Sequence, residues 1–433
     1  MSKPQKMAVT MLALALLAIA TTPASAQLTL DLLHEFAGSP DGDLPQGGVI
    51  QDADGNLYGT TALGGVNCFD VIEIGCGTVY KIDAHGGYTV LYRFLGGNDG
   101  AAPRAGLARD AAGNLYGTTQ GQGTPSTVFK VDPSGNETVL HILNSPANAA
   151  PVLDAVGNLF GTVPISIGGY GTIYTIGVHG GFGMLHTFSD PADGAAPSGG
   201  LVIDARGNLY GATLNGGIAL ERRSCFTDAI GIGGGEGCGT IFRVTPKGDF
   251  TVLYRFHGTT DGGNPVSVVL DPAGNLYGVT DSGGDFNCLA PVNLFGCGTI
   301  FKIDTKGKFS VLHTFEPNPP QESMFNNLFL DSKGNLYGTN QVLPYSQAGT
   351  LFELDTAGNY TVLYTFSSLT DGVGVDGTMI APNGDFYGTL GEGGSLACRS
   401  MDPPFGLPCG TVFKLTPSSS PGDSRLSASF TPR

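Results

Sequence analysis

One phrase is written seven times along this chain. Gly-Asn-Leu-Tyr-Gly-Thr, with small variations, starts at Gly55, Gly113, Gly157, Gly207, Gly274, Gly334 and, as Gly-Asp-Phe-Tyr-Gly, at Gly384. Successive starts lie 44 to 67 residues apart. Periods of that size belong to solenoids, propellers and arrays, in which each copy is a supersecondary unit unable to bury its apolar face alone. The copies run from near residue 28 to near residue 416 without a linker, which overrides the two or three domains that 433 residues would otherwise suggest.

One copy, Gly200 to Phe256, shows the local physics. Gly-Leu-Val-Ile-Asp ends a short β-branched run at Asp204. Asp204-Ala205-Arg206-Gly207-Asn208 then reads as a tight turn, in which the Asp side chain bonds backbone N–H groups and Gly supplies a positive φ. Asn208 to Thr213 is a second strand, and a loop of variable length follows. Gly239 to Thr245 alternates with period two and is a third strand. A second tight turn, Thr245 to Asp249, leads to a fourth, Phe250 to Phe256. Each copy is therefore expected to be a four-stranded antiparallel meander, strands A to D.

The chain ends decide how the meanders assemble. Leu28 to Phe36 matches strand D of other copies, such as Val90-Leu91-Tyr92-Arg93-Phe94, yet no strand A, B or C precedes it. The last copy stops after its strand C, Gly410 to Thr416. The first strand is thus the missing fourth strand of the last sheet, which closes a ring and leaves no open end. The expected fold is all-β: a seven-bladed β-propeller of four-stranded antiparallel blades. A parallel β-solenoid is the weaker reading, because its coils lack two hairpin turns per copy. In a propeller of this topology the A–B and C–D turns share one rim. The B–C loops and D–A connections share the other, and all length variation falls there, where binding and catalysis usually reside.

Residues 1–26 read as a signal peptide: Lys3 and Lys6, an apolar run from Ala8 to Ala20, and an Ala24-Ser25-Ala26 cleavage site, so that the propeller spans 27–416. Residues 417–433 form a Ser/Pro-rich tail expected to be disordered. No later stretch is apolar and long enough for a membrane span. A formal charge of −16 argues against nucleic acid or anionic lipid as partner.

The eight Cys form four local pairs, each in a B–C loop: Cys68 with Cys76, Cys225 with Cys238, Cys288 with Cys297, and Cys398 with Cys409. A copy has both or neither; copies two, three and six carry Pro125, Tyr170 and Ala348 where the second Cys would stand. That pattern, in an exported chain, is expected of disulfides within single loops. Zinc is the rival, but the intervening lengths of 7, 12, 8 and 10 residues, with no paired His, do not suit it.

The D–A connections repeat a second phrase, Asp-Gly-x-x-Pro, at Asp41, Asp99, Asp193 and Asp261; Asp371 keeps the Asp-Gly alone. These five Asp would ring the loop-bearing rim and are the candidate binding residues, for a cation or sugar hydroxyls, although a turn role is the favoured reading of them. The Asp-x-x-Gly-Asn turns lack the closing Glu of an EF-hand and are expected to cap hairpins. His34, His141, His186 and His313 trade places with Tyr92, Tyr254 and Tyr364 on strand D, which points to packing rather than acid–base work. No catalytic set breaks the repeat's symmetry, and no cofactor or metal site is expected.

The Gly-Asn-Leu-Tyr-Gly-Thr, Gly-Thr-Val-Phe-Lys and Val-Leu-Tyr-Arg-Phe phrases together resemble the Gloeo/Verruco tandem repeat of "choice-of-anchor" bacterial exported proteins, over nearly the whole mature chain. The resemblance implies an exported, often surface-displayed repeat protein and supplies no catalytic residues to carry over. Members often end in an anchoring segment; none follows Thr416, so simple secretion is expected. The chain is therefore expected to be a secreted or surface-displayed monomer, acting as a binding or structural module toward an extracellular glycan or protein. The alternative is a metal-dependent propeller lyase or hydrolase, with a divalent ion held by Asp or Glu in the central channel.

Overall fold

The computed structural model describes residues 28–66, 68, 75–121, 123–164, 169–189, 192–217, 225, 237–287, 296–316, 322–342, 347–367, 371–394 and 409–417. Within them the chain forms seven four-stranded antiparallel sheets, arranged as a seven-bladed β-propeller. Blade 1 comprises Val49–Gln51, Leu57–Thr61, Thr78–Ile82 and Tyr88–Arg93 as strands A to D. Blade 7 takes strands A to C from Val373–Ile380, Phe386–Glu392 and Thr411–Pro417, and strand D from Leu28–Glu35 at the other end of the chain. That pairing runs from Leu28 opposite Pro417 to Glu35 opposite Thr411. The ring is closed by backbone hydrogen bonds between the two ends, as the missing strand requires.

The repeated phrase is legible as a set of contacts. Asp52 at the A–B turn accepts hydrogen bonds from the Asn56 backbone (2.9 Å), the Asn56 amide (2.9 Å) and the Tyr58 hydroxyl (2.9 Å). The same Asp-Asn-Tyr set recurs at Asp110, Asp204, Asp271 and Asp331. Gly55 sits at φ 86°, the left-handed corner that a side chain resists. Leu57 is buried. At Gly59 a Cβ would run into the Tyr80 ring of strand C, so glycine there lets the aromatic lie flat across strand B. Thr61 meets Thr78 on strand C at 2.8 Å, and the pairs Thr119–Thr127, Thr213–Thr240 and Thr280–Thr299 repeat this.

Apolar side chains are buried between blades rather than within them. Seven clusters of buried residues each join two neighbours; one holds Cys76, Val79 and Phe94 of blade 1 with Leu107, Leu115, Phe129 and Val131 of blade 2. The aromatic following strand D meets the strand C aromatic of the next blade edge-on. Phe36–Tyr80, Phe94–Phe129, Phe188–Phe242, Phe256–Phe301, Phe315–Phe352 and Phe366–Phe413 lie with centroids 5.0 to 5.7 Å apart. A second ladder runs beside it, in which the His or Tyr of strand D stacks on the first aromatic of the next strand D: His34 on Tyr88, His141 on Phe182, His186 on Phe250, Tyr254 on Phe309 and His313 on Tyr360. Offset stacks and edge contacts are each worth about 0.5–1.5 kcal/mol beyond area burial. Such side chains fasten each blade to the next around the ring.

Blade 2 departs from both ladders. Glu137 occupies the place of the stacked aromatic, opposite Tyr92, and Leu143 stands where other blades have Phe.

Candidate functional site

The two rims differ in construction. Every A–B turn and every C–D turn has five residues between its strands. On the other rim the B–C connections range from 4 residues in blade 6 to 24 in blade 4. Five-residue turns are set by local hydrogen bonds, as at Asp83, whose carboxylate accepts from the His85 and Gly87 backbones. Four of the seven B–C connections, those of blades 1, 4, 5 and 7, instead carry disulfide-bonded Cys. Cys68 is bonded to Cys76 and Cys225 to Cys238. Cys297 and Cys409 are disulfide-bonded too, and their expected partners, Cys288 and Cys398, lie outside the described residues.

The five Asp of the D–A connections lie on this rim, each on a different connection around the ring. Each is bound to the strand D side chain seven residues before it. Asp41 pairs with His34 (3.1 Å), Asp99 with Tyr92 (3.0 Å), Asp193 with His186 (3.3 Å), Asp261 with Tyr254 (3.0 Å) and Asp371 with Tyr364 (3.0 Å). Backbone N–H groups bind four of the same carboxylates: Ala37 donates to Asp41, Leu95 and Gly97 to Asp99, His257 and Thr259 to Asp261, and Ser367 to Asp371. Burial alone would raise the Asp261 pKa, but the bonds from His257, Tyr254 and Thr259 more than offset it and leave it lowered. His and Tyr interchange on strand D because either can face the Asp of its connection and stack on the neighbouring blade, as His34, His186 and Tyr254 do. Tyr92 and Tyr364 donate to their Asp, while His141 and His313, with Asn148 and Pro320 at that place in the sequence, stack. The expectation of packing alone omitted the hydrogen bond at His34 and the 3.3 Å charge contact at His186. The signal was present in the sequence as the constant seven-residue spacing from His or Tyr to Asp.

The connection is pinned to the rim in a second way. Leu44, Ala102, Ala196 and Asn264, each before the Pro of the phrase, take φ between 51° and 60°. Their N–H groups donate to the carbonyls of Cys409, Cys76, Tyr170 and Cys238, at the residue before the Gly-Thr that opens strand C. The second half of the phrase is itself strand in blades 4 and 5, where strand A spans Ala195–Ile203 and Gly263–Leu270. The spacing had assigned it to a loop; pairing with the long B strands extends the ladder into it.

The B–C connections of blades 2, 3 and 6 have no Cys, and blade 2 departs further in having Leu143 where the other blades have Phe. In blade 1 the Cys68–Cys76 bridge lies against Gly96, just past strand D. At the same place in blade 2 a cleft of about 520 Å³ is open, lined by Gln120, Gly123, Thr124, Pro125, Ser126, Leu143, Asn144, Ser145 and Pro146. At the blade 1–blade 2 interface, burial and then the Asp99 carboxylate push Glu137 up to about 7, and its buried Oε1 has no hydrogen-bond partner among the described residues. Among the described residues no group of three or more His, Cys, Asp or Glu is placed to hold a metal ion. No helix among them is long and apolar enough to cross a membrane.

The sequence pattern of the Gloeobacter/Verrucomicrobia repeat matches residues 19–163, 230–401 and 290–431. The chain belongs to that family. No curated protein matches the chain in sequence. Among solved structures, two of the extracellular domain of BT4673 from B. thetaiotaomicron are similar at TM-scores of 0.51 and 0.52 and 11% identity, covering 90% and 94% of this chain. The chain spans about two fifths of those structures, 42% and 44% of their length. PorZ, a surface component of the type-IX secretion system of Porphyromonas gingivalis, aligns at 15% identity and a TM-score of 0.48, over 82% of this chain and 46% of that one. At 11% identity the likeness to the BT4673 domain is one of fold.

Proposed function

We propose that this chain is an exported binding or structural module that meets an extracellular glycan or protein through its loop-bearing rim. The observation that carries this reading is the contrast between thirteen turns of uniform length on one rim and B–C connections of 4 to 24 residues on the other. A rim that varies while its scaffold does not is where contact surfaces are built. Disulfides support an oxidising compartment outside the cytosol, as does the signal-peptide pattern of residues 1–26. The Asp of the D–A connections serve to fix the rim's shape, because their carboxylates are already engaged within their own blades.

The test is a pair of charge insertions read against an array of soluble oligosaccharides and against washed cell envelopes. Phe286 and Leu95 are exposed on the loop-bearing rim, and His85 and His179 lie in C–D turns on the other. Phe286→Arg and Leu95→Arg are expected to weaken capture by at least about tenfold, the loss of one or two buried contacts, with His85→Arg and His179→Arg neutral. The opposite result assigns the contact to the turn rim and overturns the reading.

A further inference from the structure

We propose that the open cleft of blade 2 is a binding site for a neutral saccharide. The proposal rests on the rim reading above and narrows it to one blade and one ligand class. The cleft occupies the position that a disulfide fills in blade 1: Pro125 stands where Cys76 does, and Ser145 where Gly96 does. Removing the bridge and shortening the connection to seven residues leaves about 520 Å³, within the range of about 300–1,000 Å³ typical of small-molecule sites.

The lining sets the chemistry. Five side chains are amides or hydroxyls, Gln120, Thr124, Ser126, Asn144 and Ser145, and none of the lining residues is ionisable. Amide and hydroxyl groups both donate and accept, which suits a ligand that presents closely spaced hydroxyls. Their protein bonds leave capacity over. Thr124 and Ser126 donate to the Gly121 and Gln120 carbonyls, and so keep lone pairs for an incoming O–H. Gln120 donates through Nε2 to Asn148 (3.2 Å) and keeps its Oε1 as acceptor. Asn144, exposed, and Ser145, half-buried, make no side-chain hydrogen bond within the described residues. Pro125, Leu143 and Pro146 add rigid apolar surface for the C–H face of a sugar ring. An anion would approach a chain of net charge −16 and find no cationic partner in the cleft. A cation would find no carboxylate in the lining, and a wholly apolar ligand would strand these polar groups.

The ligand class and the place are tested together by saturation-transfer NMR and calorimetry on the full mature chain. The probes are cellobiose, maltose, mannobiose and N,N′-diacetylchitobiose, with digalacturonic acid as the anionic control. At least one neutral disaccharide is expected to bind and the anionic one not. Ser145→Trp fills the cleft and is expected to weaken binding at least about tenfold; Asn144→Ala removes an orienting amide, for about three- to tenfold. Asn144 is exposed, so that variant retains the fold if the Trp variant does not. Binding of none of the four neutral probes overturns the ligand class. Neutral binding unchanged in both cleft variants but lost with Phe286→Arg overturns the cleft and keeps the rim. Neutral binding lost only with His85→Arg overturns both.

Discussion

Blade 1 and blade 2 share a template and differ in how they are closed on the loop-bearing rim. Blade 1 ends strand D in Phe94, fully buried against Phe129, and seals its rim with Cys68–Cys76 over Gly96. Blade 2 ends in Leu143, has Pro125 in place of a cysteine and leaves a cleft; away from that rim, its strand D also starts with Glu137 in place of an aromatic. Their A–B turns remain the same: Asp110 is held by Asn114 and Tyr116 as Asp52 is by Asn56 and Tyr58. A repeat can thus give up stability on one rim without loosening the turns on the other, because the two are held by separate sets of contacts.

Four measurements break or sharpen that contrast. The largest effect belongs to the ring-to-ring contact: Phe94→Ala is expected to lose about 3–5 kcal/mol by urea denaturation, and Leu143→Ala about 2–3 because its site already opens to the cleft. Equal losses would erase the distinction between the two interfaces. Next comes the bridge. Replacing Cys68 and Cys76 together by Ser is expected to cost about 2.5 kcal/mol on the chain-entropy account, against less than about 0.5 for Pro125→Ser at the matching exposed site.

Third is Glu137. Folding raises its pKa from the ordinary 4.5 to about 7, so the native state holds this proton more tightly than the unfolded chain. Its contribution is fully present below pH 4.5 and is lost as pH rises through 7, by about 1 kcal/mol once solvent screening of a half-exposed carboxyl is allowed for. Glu137→Phe, which restores the aromatic seen in five other blades, is expected to flatten the melting temperature between pH 5 and 8 and to raise it at pH 8. An unchanged pH slope removes Glu137 as its source. Smallest is the turn: Tyr58→Phe and Tyr116→Phe are each expected to cost about 0.5–1.5 kcal/mol for one hydrogen bond. A marked inequality between them would show that the blades differ on the turn rim as well.

Much of this could be read from the residues in order. The strand count, the five-residue turns and the return of Leu28–Glu35 to the last sheet follow from hydrogen-bond patterns with short-range signatures, such as Asp-x-x-Gly-Asn and period-two alternation. The spacing from Tyr92 to Asp99 was equally visible, but its meaning was not. A carboxylate in an Asp-Gly phrase is compatible with a ligand, a cation or a turn until its neighbours are known, and the neighbours proved to be the blade's own Tyr or His and backbone amides. The cleft had no sequence signature at all. It is a volume left when a bridge, a loop and a ring are absent together, and a motif search registers only what is present.

The sequence by itself determined the meander, its seven-fold repetition and the circular closure, because backbone hydrogen bonds in turns and adjacent strands depend on residues close along the chain or on one missing strand with one possible partner. Tertiary structure decided which aromatic of one blade meets which of the next, where the Asp carboxylates spend their hydrogen bonds, and which blade is left open. Those outcomes depend on side chains far apart in the chain, such as Phe94 and Phe129, 35 residues apart, or His186 and Phe250, 64 apart, brought together by the radial packing of the blades.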